Sequence, residues 1–372
     1  MAKILVIAND ETTILHFRRE ILAAFVTNNY DVTVCYPLGD HTEEIKKIGC
    51  KVENLEVSRH GKNVIQDLKL LRNCKKLIKL HQPDVVLTYT VKPNIYASIA
   101  CQRMHVPYIN NVTGLGSALQ KKSALSKLVL SLQRLAYRES SCVFFQNEEN
   151  CNRFAELGVV SSKTPIQILP GSGVNLEEQS YEQFPEDDGI TRFVIVARIR
   201  RDKGYSEFFD AAEQVKTKYP NTEFHVIGWY EEENLRIRLD NLVKQSIIIY
   251  HGTLSQQEVH EVTKKCNCLV NPSYHEGMSN VLLEAAASGR PVIASRIPGC
   301  KETFDEGVSG FGCEVQDSAS LVEAMEKMLH LSNNDQCQMG SNGRKKMERQ
   351  FDRKFVAEKY ISQIEIILNK GV

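Results

Sequence analysis

Short, β-branched apolar runs alternate with longer amphipathic segments along the whole chain, and this alternation constrains the fold more than any other feature. Such alternation is typical of parallel sheets whose strands are joined by helices. In the first half, amphipathic segments such as Phe17–Asn28 and Ile65–Leu80 separate the predicted strands. These strands are Lys3–Ile7, Asp31–Cys35, Lys51–Glu53, Val85–Thr88, Tyr108–Asn110 and Cys142–Phe145. The sequence therefore predicts an α/β protein.

A second α/β series follows a polar, acidic stretch that is rich in turn-forming residues. Its predicted strands are Arg192–Ala197, Glu223–Ile227, Ile247–Tyr250, Cys268–Asn271 and Pro291–Ala294. A chain of 372 residues is too long for one ordinary core, so we expect two domains. We assign residues 1–172 to the first domain, 173–190 to a linker and 191–352 to the second domain. Residues 353–372 carry a helical apolar stripe, which predicts a closing helix packed on one or both domains.

The formal net charge is zero, but the charge is divided unevenly along the chain. Residues 1–170 contain 22 Lys and Arg against 15 Asp and Glu, whereas the remaining residues contain 24 against 31. A basic half suggests an anionic partner, such as a membrane surface or a phosphorylated lipid. Nucleic acid is disfavoured because the basic runs lack a recognised binding motif and interleaved aromatic residues.

The composition is that of a soluble globular protein, with 42% hydrophobic and 25% charged residues. Eleven cysteines are scattered without a spacing suited to zinc, which favours reduced core cysteines in a cytosolic protein. The N-terminal MAKILVIAND has no cleavage site, and no apolar run approaches the roughly 20 residues that a membrane span requires. We therefore expect a cytoplasmic protein, with any membrane contact peripheral and on the cytoplasmic face of the inner membrane.

The segment HEGMSNVLLEAAASGRPVIAS is the densest chemical signal in the sequence. Glu276 and Glu284 are eight residues apart, so both lie near one face of a helix that begins around Ser279 or Asn280. The backbone N–H groups at the start of such a helix can hold a diphosphate. Glu284 could then accept the hydroxyls of a ribose and Glu276 those of a sugar. Two carboxylates flanking an ordinary helix start are the simple alternative.

The same segment resembles the signature of the retaining glycosyltransferases of family 4, which have the GT-B fold of two facing Rossmann-like domains. Gly289, Pro291 and Val292 match the rest of that signature. The string RFVIVARIRRDKGYSEF resembles the strand and loop in which an Arg and a Lys grip the diphosphate of the donor. The resemblance implies catalytic roles for Arg198, Lys203 and Glu276. It implies a nucleotide-sugar site made of Arg198, Lys203, Glu276, Gly277, Met278, Ser279, Asn280 and Glu284.

Three N-terminal strings, LHFRREIL, TYTVKPNIY and NNVTGLGSAL, resemble a subset of that family. This subset assembles bacterial surface polysaccharides and oligosaccharides on polyprenyl-diphosphate carriers. The resemblance implies that acceptor-side residues line the cleft facing the donor, namely His16, Arg18, Lys92, Asn94, Thr113, Gly114 and Gly116. Each also has a structural alternative, such as a helix-cap neighbour or a turn residue. The string LPGSGVN resembles the inter-domain segment, with Asn175 where the family commonly has an acid.

Two basic stretches account for the charge of the first half. Residues 121–138 combine five cations with leucines at helical spacing, and such a helix can lie on an anionic membrane. Its apolar face could equally pack on the sheet of its own domain, and both interpretations stay open because they can hold on different faces. For residues 59–79, with seven cations against Asp67, a solvated basic face is favoured.

These features together predict a retaining transferase that moves a hexosyl or N-acetylhexosaminyl unit from a nucleotide diphosphate sugar to a glycan acceptor. The resemblance implies a UDP donor and a polyprenyl-diphosphate-linked acceptor. No metal or other cofactor is expected, because Arg198 and Lys203 can stabilise the leaving diphosphate and no Asp-x-Asp motif stands near a strand end. The alternatives are a nucleotide-sugar epimerase of the same fold and a catalytically dead scaffold of a polysaccharide complex.

Overall fold

The computed structural model describes residues 1–57, 64–114 and 124–369, whose strands form two parallel sheets. The first sheet contains β1 (Lys3–Ile7), β2 (Asp31–Tyr36), β3 (Lys51–Asn54), β4 (Val85–Tyr89), β5 (Tyr108–Val112), β6 (Cys142–Phe145) and β7 (Ile166–Ile168). The second sheet contains β8 (Thr191–Val196), β9 (Thr222–Ile227), β10 (Ile248–Tyr250), β11 (Cys268–Asn271), β12 (Val292–Ser295) and β13 (Gly310–Cys313).

Helices connect the strands in both sheets. In the first half they are α1 (Glu11–Thr27), α2 (Thr42–Lys47), α3 (Val64–His81), α4 (Val91–Met104), α5 (Ala124–Tyr137) and α6 (Glu148–Glu156). In the second half they are α7 (Tyr205–Lys218), α8 (Glu233–Lys244), α9 (Gln256–Thr263), α10 (Asn280–Ala287), α11 (Ser318–Leu329), α12 (Asn333–Lys346) and α13 (Arg353–Asn369). A 3-10 turn at Arg201–Lys203 precedes α7.

The chain divides into two compact units. Met1–Ser172 and Arg353–Val372 form unit 1, and Gly173–Asp352 form unit 2. The terminal helix α13 therefore belongs with the N-terminal sheet, where Val356, Tyr360 and Ile364 are buried in the core beside α1. This confirms the predicted Rossmann-like architecture with a C-terminal helix that returns to the first domain.

In each parallel sheet, the order in which successive strands are added reverses near the centre, at β1 in the first sheet and at β8 in the second. The orders are β3-β2-β1-β4-β5-β6-β7 and β10-β9-β8-β11-β12-β13. In the second sheet, α7 packs in the core on one face and α10 in the core on the other. The loops that follow β8 and β11 therefore separate at the carboxyl edge of the sheet. A crevice at such a switch point is the usual ligand site of open α/β sheets.

All of the predicted strands are present, and their bounds agree to within one or two residues. The short edge strands β7 and β13 were not predicted, because three or four residues with glutamine or glycine give no clear apolar run. Residues 173–190, expected to be a linker, are attached to unit 2. Arg290 Nη2 donates to the Gln183 carbonyl at 2.7 Å, and Phe184 is buried against the same guanidinium.

Helix α5 leaves both interpretations of the second basic stretch, residues 121–138, open. Val129, Leu130 and Leu132 pack against the core of unit 1, whereas Leu128 and Leu135 are 54% and 41% exposed. Lysines 121 and 122 of this stretch lie outside the described residues, as do Arg59 and Lys62 of the first.

The described part of the chain bears on two expectations, which concern membrane-spanning helices and the state of the cysteines. No helix there is both long and apolar enough to cross a membrane. All eleven cysteines are described, none is in a disulfide, and all but Cys151 and Cys337 are buried. Burial raises the pKa of the Cys266 thiol to about 12, which keeps this side chain an inert part of the core.

Candidate active site

An ion pair marks the switch point of the second sheet. Lys203 Nζ lies 2.6 Å from Glu276 Oε1, and the two side chains are 18% and 17% exposed. Lys203 comes from the loop after β8, and Glu276 comes from the loop after β11. The Tyr274 backbone N–H donates to the Asp202 carbonyl at 2.9 Å and ties the two loops together. The structure therefore brings together two residues that lie 73 positions apart in the sequence.

Two glycines allow the loops of this crevice to approach each other. Gly204 has a φ of 74°, and a Cβ there would stand 2.1 Å from the Pro272 carbonyl oxygen. Gly299 has a φ of 81°, and a Cβ there would stand 2.5 Å from the Gly277 carbonyl oxygen. Any side chain at either position would strain the backbone and push the loops apart. The sequence analysis did not single out these two glycines.

The first turn of α10 faces the same crevice. Ser279 is the N-cap residue, but its hydroxyl accepts from Asn271 Nδ2 at 2.5 Å instead of capping the helix. The Ser279 N–H donates to the Gly299 carbonyl at 2.8 Å. No acid stands in the first turn, and Asn280 Oδ1 is buried with no hydrogen-bond partner among the described residues. A helix start of this kind offers its N–H groups and its positive dipole end to an anion.

The remaining residues of the predicted donor segment have different surroundings. Met278 is buried in an apolar cluster with Leu283 and Phe351, so only its backbone can face a ligand. Gly277 is partly exposed between Glu276 and the helix. Glu284 is partly exposed on α10 and lines a cavity between α9 and α10. The cavity walls also include Gln179, Val196, Val259, His260, Thr263 and Ser288.

Arg198 lies beside the crevice, and its guanidinium bonds a residue that the sequence analysis missed. Its Nη1 donates to Glu231 Oε1 at 3.2 Å, and its side chain is 43% exposed. The same oxygen accepts from Trp229 Nε1 at 3.3 Å. Arg200 makes a two-pronged contact with Asp202, at 2.9 and 3.2 Å. The Arg198 guanidinium therefore remains accessible to a ligand, whereas that of Arg200 is hydrogen-bonded within its own loop.

Two of the predicted acceptor-side residues of unit 1 are buried. Arg18 is 3% exposed, bonds Ser172 Oγ at 2.6 Å and stacks 4.8 Å over the ring of Tyr89. Asn94 is also 3% exposed: its Oδ1 accepts from Thr88 Oγ1 and its Nδ2 donates to the Asn111 carbonyl. Burial and internal hydrogen bonds engage both side chains, and their place in the cleft facing the donor stays a prediction.

The other acceptor-side candidates have mixed positions. His16 is exposed on α1. Partial desolvation by neighbouring atoms and the charge of the nearby His41 lower the pKa of its imidazole. Lys92 Nζ pairs with Asp67 Oδ1 at 2.8 Å, and each side chain is about a fifth exposed. Thr113 and Gly114 follow β5 and are partly exposed. Gly116 lies outside the described residues.

The switch point of the first sheet carries two polar residues that the sequence analysis missed. β1 and β4 pair in parallel up to Ile7 and Thr88, so Asn9 and Thr90 follow side by side. Asn9 Oδ1 and Thr90 Oγ1 are both buried without a hydrogen-bond partner in the described ranges. Thr90 also has a φ of 70°, which is strained for a β-branched residue. Strain and an unpaired polar atom at a strand end are typical of ligand sites.

Comparison with known families is consistent with this geometry. Residues 177–346 match the profile described as glycosyl transferases group 1, and residues 3–147 match the profile described as glycosyl transferase 4-like. The first match contains the whole crevice of unit 2, and the second contains β1 through β6.

Individual relatives cover most of the chain. N,N'-diacetylbacillosaminyl-diphospho-undecaprenol alpha-1,3-N-acetylgalactosaminyltransferase of Campylobacter jejuni is 27% identical over 85% of this chain and 86% of its own length. The glycosyltransferase MJ1178 of Methanocaldococcus jannaschii is 30% identical over 77% of this chain and 75% of its own length. The solved structure of Anabaena Alr3699/HepE with UDP and glucose has a TM-score of 0.80 and 17% identity, covering 98% of this chain and all of that one.

Proposed function

We propose that this chain, which belongs to the group 1 glycosyltransferases and has the GT-B fold, is a retaining hexosyl- or N-acetylhexosaminyltransferase that uses a nucleotide diphosphate sugar. The observation that carries the proposal is the Lys203–Glu276 pair at the switch point of the second sheet, beside an uncapped helix start. A cation, a carboxylate and the first-turn backbone N–H groups of α10 at one crevice match the diphosphate and sugar of such a donor.

The donor-side groups act on the leaving diphosphate. As the bond between the anomeric carbon and the diphosphate breaks, negative charge grows on the phosphate oxygens. Lys203, Arg198 and the first-turn N–H groups of α10 stabilise that charge, because they are fixed before the reaction begins. Glu276 accepts hydroxyl hydrogens of the sugar, and Glu284 accepts those of the ribose. Arg198 and Lys203 supply the positive charge, so we propose that transfer needs no divalent metal.

Retention at the anomeric carbon is supported by the linkage that a relative forms. The C. jejuni relative is named for an alpha-1,3 linkage. Common UDP-hexoses carry the diphosphate in the α configuration, so an α-linked product corresponds to retention. We propose that the acceptor hydroxyl attacks from the face that the diphosphate leaves, through an oxocarbenium-like state. The departing diphosphate can then take the proton of that hydroxyl. UDP is our proposed nucleotide, in line with the UDP bound to the Anabaena structure.

We assign the acceptor to unit 1 and propose that it is linked to polyprenyl diphosphate. The printed name of the C. jejuni relative specifies an undecaprenol-diphosphate acceptor. The basic balance of residues 1–170 suits such an anionic, membrane-held molecule. Asn9 Oδ1 and Thr90 Oγ1 can accept hydroxyl hydrogens of the acceptor sugar at the switch point of the first sheet.

Nucleotide release from a panel of nucleotide sugars tests this function, with and without an undecaprenyl-diphosphate-linked sugar and in the presence of excess EDTA. A transferase releases nucleotide only with both substrates, and a new glycan appears on the lipid. An epimerase would instead convert the donor sugar without acceptor, and a dead scaffold would do neither. Loss of transfer in EDTA that Mg²⁺ or Mn²⁺ restores would refute the metal-free mechanism.

A further inference from the structure

We propose that Glu231 is a positioning residue that holds Arg198 in the orientation needed to bind the donor diphosphate. This inference rests on the proposed donor site and extends it to a residue on a third loop. Glu231 follows β9, whereas Arg198 follows β8 and Glu276 follows β11. Glu231 makes no contact with the sugar or the phosphates in this proposal, so it acts only through Arg198.

The backbone fixes the Glu231 loop against the Arg198 loop. Ile199 N–H donates to the Trp229 carbonyl at 2.8 Å, and Glu231 N–H donates to the Ile199 carbonyl at 3.2 Å. Ile199 and Tyr230 form a parallel bridge between these two bonds, and the Ile199 side chain is fully buried. The main chain therefore holds Glu231 next to the loop of Arg198, within reach of the Arg198 side chain.

Three donors converge on this one carboxylate. Arg198 Nη1 and Trp229 Nε1 share Oε1, at 3.2 and 3.3 Å. Arg200 Nη1 approaches Oε2 at 3.4 Å, but its main contact is with Asp202. Glu231 is thus the main fixed partner that the described part of the chain provides for Arg198.

The contact leaves most of the guanidinium available to a ligand. An arginine has five N–H donors in a rigid fork, and Glu231 takes a bond from Nη1 alone. The described residues form no other hydrogen bond to Arg198. A phosphate can therefore bind through Nε and Nη2 while the contact with Glu231 persists. A long side chain that is already fixed loses less freedom on binding, which improves affinity.

Repulsion between Glu231 and the diphosphate would change nucleotide affinity in the opposite direction. If Glu231 mainly repelled the diphosphate, removing its charge would tighten nucleotide binding. The two effects are separated by comparing Glu231→Gln, which keeps an oxygen that accepts from Arg198 and Trp229, with Glu231→Ala, which does not. Glu233→Ala is the matched control, because it removes the same charge from the same segment, where Glu233 pairs with Arg236.

The experiment measures the Kd of UDP, GDP and ADP for the wild type, and then the Kd of the tightest of these for each variant. We expect Glu231→Ala to weaken binding about three- to tenfold, which is the penalty for ordering one loose long side chain. Glu231→Gln should stay within about twofold of the wild type, as should Glu233→Ala. Trp229 is the only tryptophan, so its emission reports the same contact directly: Glu231→Ala should shift it, and Glu231→Gln should not.

Dependence on Arg198 is tested in a double-mutant cycle. In an Arg198→Ala background, Glu231→Ala should cause no further loss of affinity, because its partner is already absent. Tighter binding by Glu231→Ala, or an equal loss in both backgrounds, would overturn the positioning role. Wild-type affinity in Arg198→Ala alone would overturn the proposed donor site itself, so the two failures are distinguishable.

Discussion

We propose that individual residues at the second switch point have separate roles in donor binding, set by their charges. Lys203 and Glu276 pair directly, at 2.6 Å, yet both can contact one donor because its phosphate and its sugar are adjacent. Glu284 lies four residues into α10, on the wall of the cavity between α9 and α10. We propose that the two carboxylates of the signature contact different parts of the same donor.

The two carboxylates should differ in their kinetic effects. Glu284→Ala should raise the donor KM about tenfold with little change in kcat, since ribose contacts bind the ground state and the transition state equally. Glu276→Gln should lower kcat by about 10- to 100-fold, since its partner is the reacting sugar. Steady-state kinetics with varied donor measures both, and Glu323→Ala, at an exposed position of α11, is the control. The reverse pattern would show that the roles are exchanged.

The strands, loops and helix start of the second switch point could be predicted because each is a local pattern in the sequence. The structure pairs Lys203 with Glu276 beside the start of α10, and their roles at a donor stay predictions. Burial could not be predicted in the same way. Arg18 and Asn94 are predicted cleft residues, but their sequence neighbours could not show that long-range packing buries both. Glu231 was not predicted because its partner Arg198 lies in the loop after the neighbouring strand, 33 residues away.

At the level of elements, close contact between two loops shapes the donor crevice. Gly204 ends the 3-10 turn that carries Lys203, and its missing side chain lets the turn rest on Pro272. The alternating apolar runs predicted the strands, but not the strand order that places these loops side by side. The short strands β7 and β13 were not predicted because three or four residues with glutamine or glycine give no clear apolar run.

Substitution of Gly204 should disrupt this loop contact. A Cβ there would be 2.1 Å from the Pro272 carbonyl at a φ of 74°, so Gly204→Ala adds a clash to backbone strain. We expect a loss of about 2–4 kcal/mol in the free energy of unfolding, measured with urea, together with weaker nucleotide binding. Gly189→Ala is the matched control, since its φ is 78° but nothing lies within 4 Å. It should cost about 1–2 kcal/mol for strain alone. Equal losses in the two variants would contradict the crowded-loop account.

The exposed face of α5 is the element proposed to contact a membrane. Leu128 and Leu135 are two turns apart on α5, Lys127 adjoins Leu128 and Arg138 directly follows the helix, and all four are exposed. Replacing both leucines with Ser and Lys127 with Glu should reduce co-sedimentation with anionic liposomes several-fold, because apolar area and charge both contribute. Transfer to a lipid-linked acceptor should fall, and transfer to a soluble analogue should not.

The matched control for this surface is taken from unit 2. Ile237 and Val243 are 54% and 39% exposed on α8, and their replacement with Ser removes similar apolar area. If the control variant loses as much liposome binding as the α5 variant, or if neither loses any, the α5 face has no membrane role. High salt should weaken binding of the wild type, since surface charges are screened.

At the scale of the whole molecule, a pair of histidines makes stability depend on pH. His225 Nδ1 lies 2.9 Å from His251 Nε2, their rings stack, and Glu223 and Arg192 adjoin them. Burial lowers the pKa of both histidines, and for His225 the neighbouring His251 lowers it further. The neutral forms therefore stabilise the fold. That contribution is complete above the unfolded pKa of about 6.5 and is lost as pH falls through the lower folded values.

We therefore expect the urea midpoint of unfolding to fall between pH 7.5 and pH 5. His251→Gln should make this decrease smaller, because His225 then no longer faces a second ring that takes up a proton. His275→Gln, which changes an exposed ring in the same unit, is the control and should keep the wild-type pH dependence. A midpoint that decreases equally in His251→Gln and the wild type would refute the role of the pair.

The central claim is that the two cations of unit 2 stabilise the diphosphate as it leaves. It is tested most directly by kcat/KM for sugar transfer in Arg198→Ala, Lys203→Ala and the double variant. Each single substitution should reduce kcat/KM by at least about 100-fold, because it removes a charge-assisted contact that strengthens as the bond breaks. Wild-type kcat/KM in the double variant would contradict the assignment of the donor site to the switch point of the second sheet.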